Sequence, residues 1–382
     1  MTTSSPPQEA HRPGRPLQVL HVIKGLGPGG AEQLLVNQAR FSQRDDVEFT
    51  VAYVLGAKTR LVADLEHRGW RTVCIGDEDG STWRWMDRLR SLIRRRGVAV
   101  VHGHSPAVAA ACRLVVRSLP PSERPATIYT EHNCWDRHHP LTRFANRITI
   151  GLEDHVIAVS GAVRDSMSRS ADFEVLVHGI DVESVSRQAG RRDAVRRELG
   201  FARDDFVIGT VANHRREKDY PTLLGSARRT LDADPTVRFV AVGQGPLQGA
   251  AEAARDDLGL GEAFRFLGYR SDAVEVMSAF DLFTLTSTHE GLPVALMEAL
   301  ALGLPVVATR VGGIPEATAG TDAVLVEPGD EQALADAYLA AKAAPCHSRQ
   351  PVAFDAARSA GRLIDHYLAL ADRRTKTGVG CA

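Results

Sequence analysis

Short apolar runs alternate along the chain with longer segments whose apolar residues recur at helical spacing, and the alternation occurs in two series of similar size. The first series places strands at Leu17–Ile23, Glu48–Leu55, up to Ile75, Val98–Val101, Thr127–Thr130 and Asp154–Val159. Helices are expected at Ala31–Phe41, Arg60–Arg68 and Trp83–Arg96. The second series opens at Phe206–Val211, followed by a helix starting at Tyr220-Pro221-Thr222. Strands at Arg238–Val242, Phe264–Gly268, Asp281–Leu285, Pro305–Thr309 and Ala323–Glu327 come next, with helices at Val294–Leu302 and Glu331–Lys342. Pro293 occupies the expected first helical position, where a missing N–H is harmless, and Gly303 stops that helix. A last amphipathic helix spans Phe354–Ala371. Continuous apolar strands separated by helices predict an α/β fold with two Rossmann-like, doubly wound domains. The expected layout is a loose tail over 1–16, a first domain over 17–182, a linker over 183–203, a second domain over 204–350, and a closing helix over 351–372.

Composition narrows the class without naming a function. The length of 382 residues suits two ordinary domains, and 44% hydrophobic with 24% charged residues is that of a soluble globular protein. A formal net charge of −1 gives no general attraction to nucleic acid. The five cysteines are scattered without a CxxC pair, which argues for a reducing compartment and against a zinc or disulfide framework. The tail lacks an apolar core and is not read as a signal peptide. With no stretch long enough to span a bilayer, the expected location is cytoplasmic, including the inner membrane face.

Candidate chemistry concentrates in the second series. Glu290 lies in the loop after one strand, and Glu298 lies on the following helix about a turn and a half further on. Gly291, Leu292, Pro293 and Val294 lead into that helix, whose first-turn N–H groups would suit a diphosphate. Two carboxylates flanking a helix start have no packing rationale, although each would also be at home on a solvated surface. Gly312-Gly313 lets the backbone pass close to a neighbour. Arg215, Arg216 and Lys218 lie in the loop after Val211, and Gly243 and Gly245 in the loop after Val242. In the first series, His102 and His104 stand at one strand end and His132 at another, where ligands of open parallel sheets collect. No third ligand with convincing spacing completes a metal site with His102 and His104.

Gly25, Gly27 and Gly30 satisfy GxGxxG, which would indicate a dinucleotide-binding oxidoreductase. The second strand, however, ends Leu55-Gly56-Ala57-Lys58 without the acidic residue that would hold a ribose. Trp83–Arg96 carries six arginines with Trp85, Leu89 and Leu92. It reads as a helix covering the sheet, with peripheral contact to an anionic membrane as its other use.

Glu290 and Glu298 with seven residues between them, followed by Gly-Leu-Pro-Val-Val-Ala and Gly-Gly-Ile-Pro-Glu, resemble the EX7E signature of glycosyltransferase family 4. The resemblance extends from Leu17 to about Ala371. It implies the GT-B fold, with two lobes facing across a cleft and a C-terminal helix crossing back to the first. It also implies retaining transfer from a nucleotide-diphosphate sugar to a hydroxyl acceptor, without a metal or other cofactor. In that likeness Glu298 holds the ribose, Glu290 the sugar, and Lys218 the diphosphate. Asn213 stands where relatives have Arg, so Arg215 or Arg216 would supply the second cation. Gly243 and Gly245 lie near the nucleotide and Leu267 and Gly268 against the base. His132 positions the sugar and acceptor, with His104, Ser160, Gly29 and Gly30 at the cleft. His178 replaces the usual Asn of a Pro-Asn-Gly-Val-Asp turn. The acceptor loop falls at 132–142, with Trp135, Arg137, His138 and His139. A nucleotide-sugar epimerase or hydrolase of the same fold, and a non-catalytic binding lobe, are the alternatives.

Overall fold

The computed structural model describes residues 15–78, 83–167, 173–344 and 354–378. Most of the expected tail, the break around 345–353 and the last residues lie outside them. The chain divides into two compact units, one of residues up to Gly179 together with those from Ala356 on, the other Ile180–Asp355.

The first unit runs β1 (Leu17–Ile23), α1 (Gly30–Phe41), β2 (Val47–Tyr53), α2 (Val62–Glu66), β3 (Arg71–Cys74) and α3 (Arg84–Arg96). It continues with β4 (Val100–Gly103), α4 (Pro106–Arg117), β5 (Ala126–Glu131), α5 (Pro140–Thr149), β6 (His155–Ala158), α6 (Gly161–Ser166) and β7 (Glu174–Val175). Its seven strands form a parallel sheet in the order β3-β2-β1-β4-β5-β6-β7. Both faces of β1 are covered: Leu17, Val19 and Ile23 pack in one core, Leu20 and Val22 in the other. That burial explains the largely apolar run, interrupted only by Gln18 and His21.

The second unit begins with α7 (Val182–Arg187) and α8 (Arg192–Glu198), so the span expected as a linker is largely helical and belongs to this unit. Arg196 of α8 is buried, and its guanidinium holds Asp281 and the Ala279 and Asp205 carbonyls. Its arginines thus tie the helices down rather than marking solvent. β8 (Phe206–Val211), α9 (Tyr220–Ala233), β9 (Val237–Val242), α10 (Gln248–Asp257), β10 (Phe264–Gly268), α11 (Ala273–Met277) and β11 (Leu282–Leu285) follow. α12 (Val294–Ala301), β12 (Val306–Thr309), α13 (Ile314–Ala317), β13 (Val324–Val326) and α14 (Glu331–Ala343) complete it. The parallel sheet is ordered β10-β9-β8-β11-β12-β13. Pro293 is the residue just before α12 rather than its first helical one.

α15 (Ala356–Gly378) is the closing helix, and its Leu363, Ile364, Tyr367 and Leu370 complete the first unit's core with β1 and α1. On α3, Trp85, Leu89 and Leu92 are buried against the same sheet, leaving Trp83 exposed just before the helix. The apolar side expected as a membrane contact is therefore inside the protein.

Candidate functional site

In each sheet the strand order reverses once, between β1 and β4 and between β8 and β11. At such a point adjacent strands send their following loops to opposite sides, leaving an opening at the carboxyl ends. Both groups of candidate residues stand at these two positions.

In the second unit, the loop after β8 carries Lys218 and the loop after β11 carries Glu290. Although 72 residues apart, they form an ion pair, with Lys218 Nζ donating to Glu290 Oε1. Ser287 Oγ donates to the same oxygen at 2.7 Å. The backbone of the lysine loop is fixed as well: Thr286 Oγ1 donates to the Lys218 carbonyl at 3.1 Å, and Thr288 N to Glu217 O at 2.9 Å. Asp219, next in line, is the one non-glycine with positive φ (48°) among the described residues. A left-handed conformation costs about 1–3 kcal/mol there, and it turns the chain from the lysine loop into α9. Thr222 Oγ1 holds the Asp219 carboxylate at 2.7 Å.

The glycine pair acts as expected. Gly312 has φ 51°, and a Cβ on it would lie 1.7 Å from the Glu290 carbonyl oxygen. Gly313 N donates to Gly291 O at 3.0 Å, so the two loops are joined through backbone. Gly291, Leu292, Pro293 and Val294 are buried, and α12 starts without a side-chain cap.

Glu298, in the middle of α12, has no side-chain hydrogen bond or ion pair among the described residues. Burial pushes its carboxyl up to about 7 from an ordinary 4.5. A carboxyl so placed is costly without hydroxyl or N–H partners. In the loop after β8, Arg215 and Arg216 are exposed and Asn213 is partly buried. Gly243 and Gly245 bring their loop against the one after β8, where a Cβ would lie 2.1 Å from Ala212 O and 2.4 Å from His214 O, respectively. The register of β10 on β9 shifts between Phe266 and Gly268, leaving Leu267 as the extra residue. A bulge of this kind frees backbone groups for another partner. His214 was passed over by the sequence reading. It is buried against Tyr220 (ring centroids 4.2 Å apart), and neither ring nitrogen has a partner.

The first unit gathers more histidines than expected. His21 of β1 pairs in register with His102 of β4. His21 Nδ1 lies 2.8 Å from His104 Nε2, and His104 Nδ1 lies 3.3 Å from His132 Nε2. His178 adds a fifth ring, 5.9 Å from that of His132. His21 supplies the third nitrogen that spacing could not provide. Atoms of His21, His102 and His104 lie within 4.8 Å of one another, which satisfies a metal on distance alone. His102, however, meets Tyr367 Oη at 2.8 Å and Thr130 Oγ1 at 2.7 Å, so both of its nitrogens are already engaged. Burial, then the neighbouring His178, holds His21 and His132 down to about 3, and burial holds His178 to about 4. His102 and His104 also lie well below the ordinary range, again mainly through burial. The cluster is therefore a neutral hydrogen-bonding group at physiological pH and supplies no positive charge of its own. The one sequence signal for His21 is a polar residue in the middle of a largely apolar strand.

Other first-unit expectations divide. Ser160 is buried, and its Oγ accepts from Val163 N, capping α6. Gly29 precedes α1 and Gly30 begins it, and the Glu32 carboxylate lies over Gly29. Trp135 is not presented to an acceptor. It is buried and donates to Glu131 Oε2 at 2.9 Å, because Glu131 gathers Tyr129 Oη, Asn133 N and Trp135 on one carboxylate. A second histidine-carboxylate group lies on the far strands, where Glu174 meets His155 (3.0 Å) and His366 (2.9 Å). All of its ligand atoms lie within 4.8 Å of one another. Arg362 already pairs with that carboxylate.

Residues 28–184 match the family described as Glycosyltransferase Family 4, and residues 205–342 match Glycosyl transferases group 1. EpsF, a glycosyltransferase-type protein of Bacillus subtilis (strain 168), is 28% identical over 303 residues, covering 75% of this chain and 78% of EpsF. The UDP-Gal:alpha-D-GlcNAc-diphosphoundecaprenol alpha-1,3-galactosyltransferase of Escherichia coli is 26% identical, covering 59% of this chain and 61% of its own. Among solved structures, Anabaena HepE in complex with UDP and glucose superposes with a TM-score of 0.76 at 20% identity, over 95% of this chain and all of that one. With both sheets built as doubly wound parallel layers and both halves matched in sequence, the chain belongs to glycosyltransferase family 4 and has the GT-B fold.

Proposed function

We propose that the protein is a retaining glycosyltransferase that moves a sugar from a UDP- or GDP-sugar to a hydroxyl acceptor without a metal ion. The observation that carries this reading is Glu298, a partly buried carboxyl on the helix that follows the Lys218–Glu290 pair, with no hydrogen-bonding partner among the described residues. Two ribose hydroxyls would supply the missing partners. Arg215, Arg216, Lys218 and the N–H groups opening α12 meet the negative charge that grows on the departing diphosphate. Glu290, once its lysine turns to phosphate, accepts from sugar hydroxyls. His132, kept neutral, positions the sugar and the acceptor hydroxyl. The bond from the anomeric carbon to the phosphate oxygen breaks, and the bond to the acceptor oxygen forms on the same face. The acceptor proton passes to the leaving diphosphate. The names of the relatives support a nucleotide-sugar donor and a glycan acceptor, including a lipid-linked one.

Water serves as acceptor in the test. Proton NMR of an α-linked UDP- or GDP-sugar incubated with the enzyme and EDTA should show the α anomer of the free sugar first, before mutarotation. First appearance of the β anomer would remove retention, and turnover only after magnesium is added would remove metal independence.

A further inference from the structure

Helix α5 is built with its polarity reversed. Its buried side chains are Asn146 and Thr149, while Leu141, Phe144 and Ile148 are 70%, 60% and 63% exposed. Spaced at three and four residues, these three share one face over a length of about 10 Å. The inner face is polar for a definite reason. Arg113 of α4 is fully buried, stacks on Tyr129, pairs with Glu153, and donates to Asn146 Oδ1 at 2.8 Å and Thr149 Oγ1 at 2.9 Å. This network anchors α5 on α4 and fixes which side faces out.

α4 itself leaves Leu114 52% exposed. These two packed helices therefore hold four of the eight large apolar side chains exposed among the described residues. The same helices carry Arg113, Arg117, Arg143 and Arg147 and no acid. Arg143 and Arg147 have no ion-pair partner among the described residues.

We infer that the outward face of α4 and α5 docks on an anionic membrane, with Leu141, Phe144 and Ile148 entering the headgroup boundary and Arg143, Arg147 and Arg117 meeting lipid phosphates. An apolar stripe flanked by unpaired arginines is the pattern of an interfacial helix. A second copy of the chain fits less well. A stable dimer uses about 20–30 residues a side with a core depleted of charge, and like-charged arginines would meet across a two-fold axis. No described helix is long and apolar enough to cross a membrane, so contact would be from one side. α4 begins directly after His104 and Ser105, and α5 eight residues after His132, so docking would hold the histidine loops close to the lipid surface. This surface stands whether or not the transfer chemistry proposed above is correct.

The test is co-sedimentation of the purified full chain with phosphatidylcholine vesicles, with and without phosphatidylglycerol. The chain should pellet only with the anionic vesicles, and release should follow in about 1 M NaCl, where the Debye length is about 3 Å. Phe144→Ser with Ile148→Ser, and separately Arg143→Glu with Arg147→Glu, should each lower the bound fraction roughly tenfold with an unchanged melting temperature. Trp83→Ala should leave binding intact. Absence of wild-type binding to anionic vesicles, equal loss in Trp83→Ala, or a wild-type dimer that the Phe144/Ile148 variant makes monomeric would overturn the inference.

Discussion

Glu298 is the residue on which stability and function pull in opposite directions. Its carboxyl is raised from 4.5 to about 7 by burial, so between those values the unfolded chain releases a proton that the folded chain keeps. Stability is therefore lost as pH rises through this window, by about 1.4 kcal/mol per unit and about 3 kcal/mol in all. Glu298→Gln removes the effect. Thermal melts of wild type and variant should show a stability gap favouring the variant that widens from pH 5 to pH 7.5. A gap independent of pH would mean that Glu298 is solvated in the native protein. The buried histidines act in the reverse sense, their charged forms being opposed below about 6.5, but they are common to both proteins and cancel in the difference. At this scale the sequence spoke clearly for Glu290, Glu298 and Lys218, which stand in polar loops or on an Ala-rich helix. It was silent on Tyr367, Ser287 and the metal-like geometry at His21, because each acquires its partner only through pairing of distant segments.

At the scale of elements, the Glu290 loop is held by the glycine loop after β12. Gly312 has left-handed backbone and touches the Glu290 carbonyl. Gly312→Ala should destabilise the protein by about 1–3 kcal/mol through backbone strain alone, with the close contact adding to it. Urea unfolding checks the stability, and a loosened Glu290 should weaken donor binding in parallel. A change within about 0.5 kcal/mol would show that the loop yields without cost. The strands were legible because both faces of each parallel sheet are buried, which leaves a largely apolar run. α5 escaped notice for the opposite reason. α5 turns polar residues inward and apolar ones outward, so its pattern reads as a polar, aromatic loop. The 183–203 segment read as a linker because its arginines look solvated, yet Arg196 is buried against the loop from Ala279 to Asp281.

For the whole molecule, two doubly wound units explain why the candidate residues are so scattered in sequence. Each sheet gathers its own group where the strand order reverses: histidines in one, Lys218 and Glu290 in the other. The number and order of the βαβ units, and the return of the last helix to the first unit, follow from strand spacing and family likeness together. Donor sugar and acceptor do not, since they depend on side-chain geometry in loops whose composition is compatible with many partners. The central claim is that the second unit binds a nucleoside diphosphate through Glu298 without a metal. Isothermal titration of UDP and of GDP into the full chain in EDTA tests it most directly. One of them should bind with one site per chain, and Glu298→Gln should weaken it at least roughly tenfold, the loss of hydrogen bonds worth about 1.5–3 kcal/mol to a charged acceptor. Binding that appears only with magnesium, or equal affinity in the variant, would contradict the account.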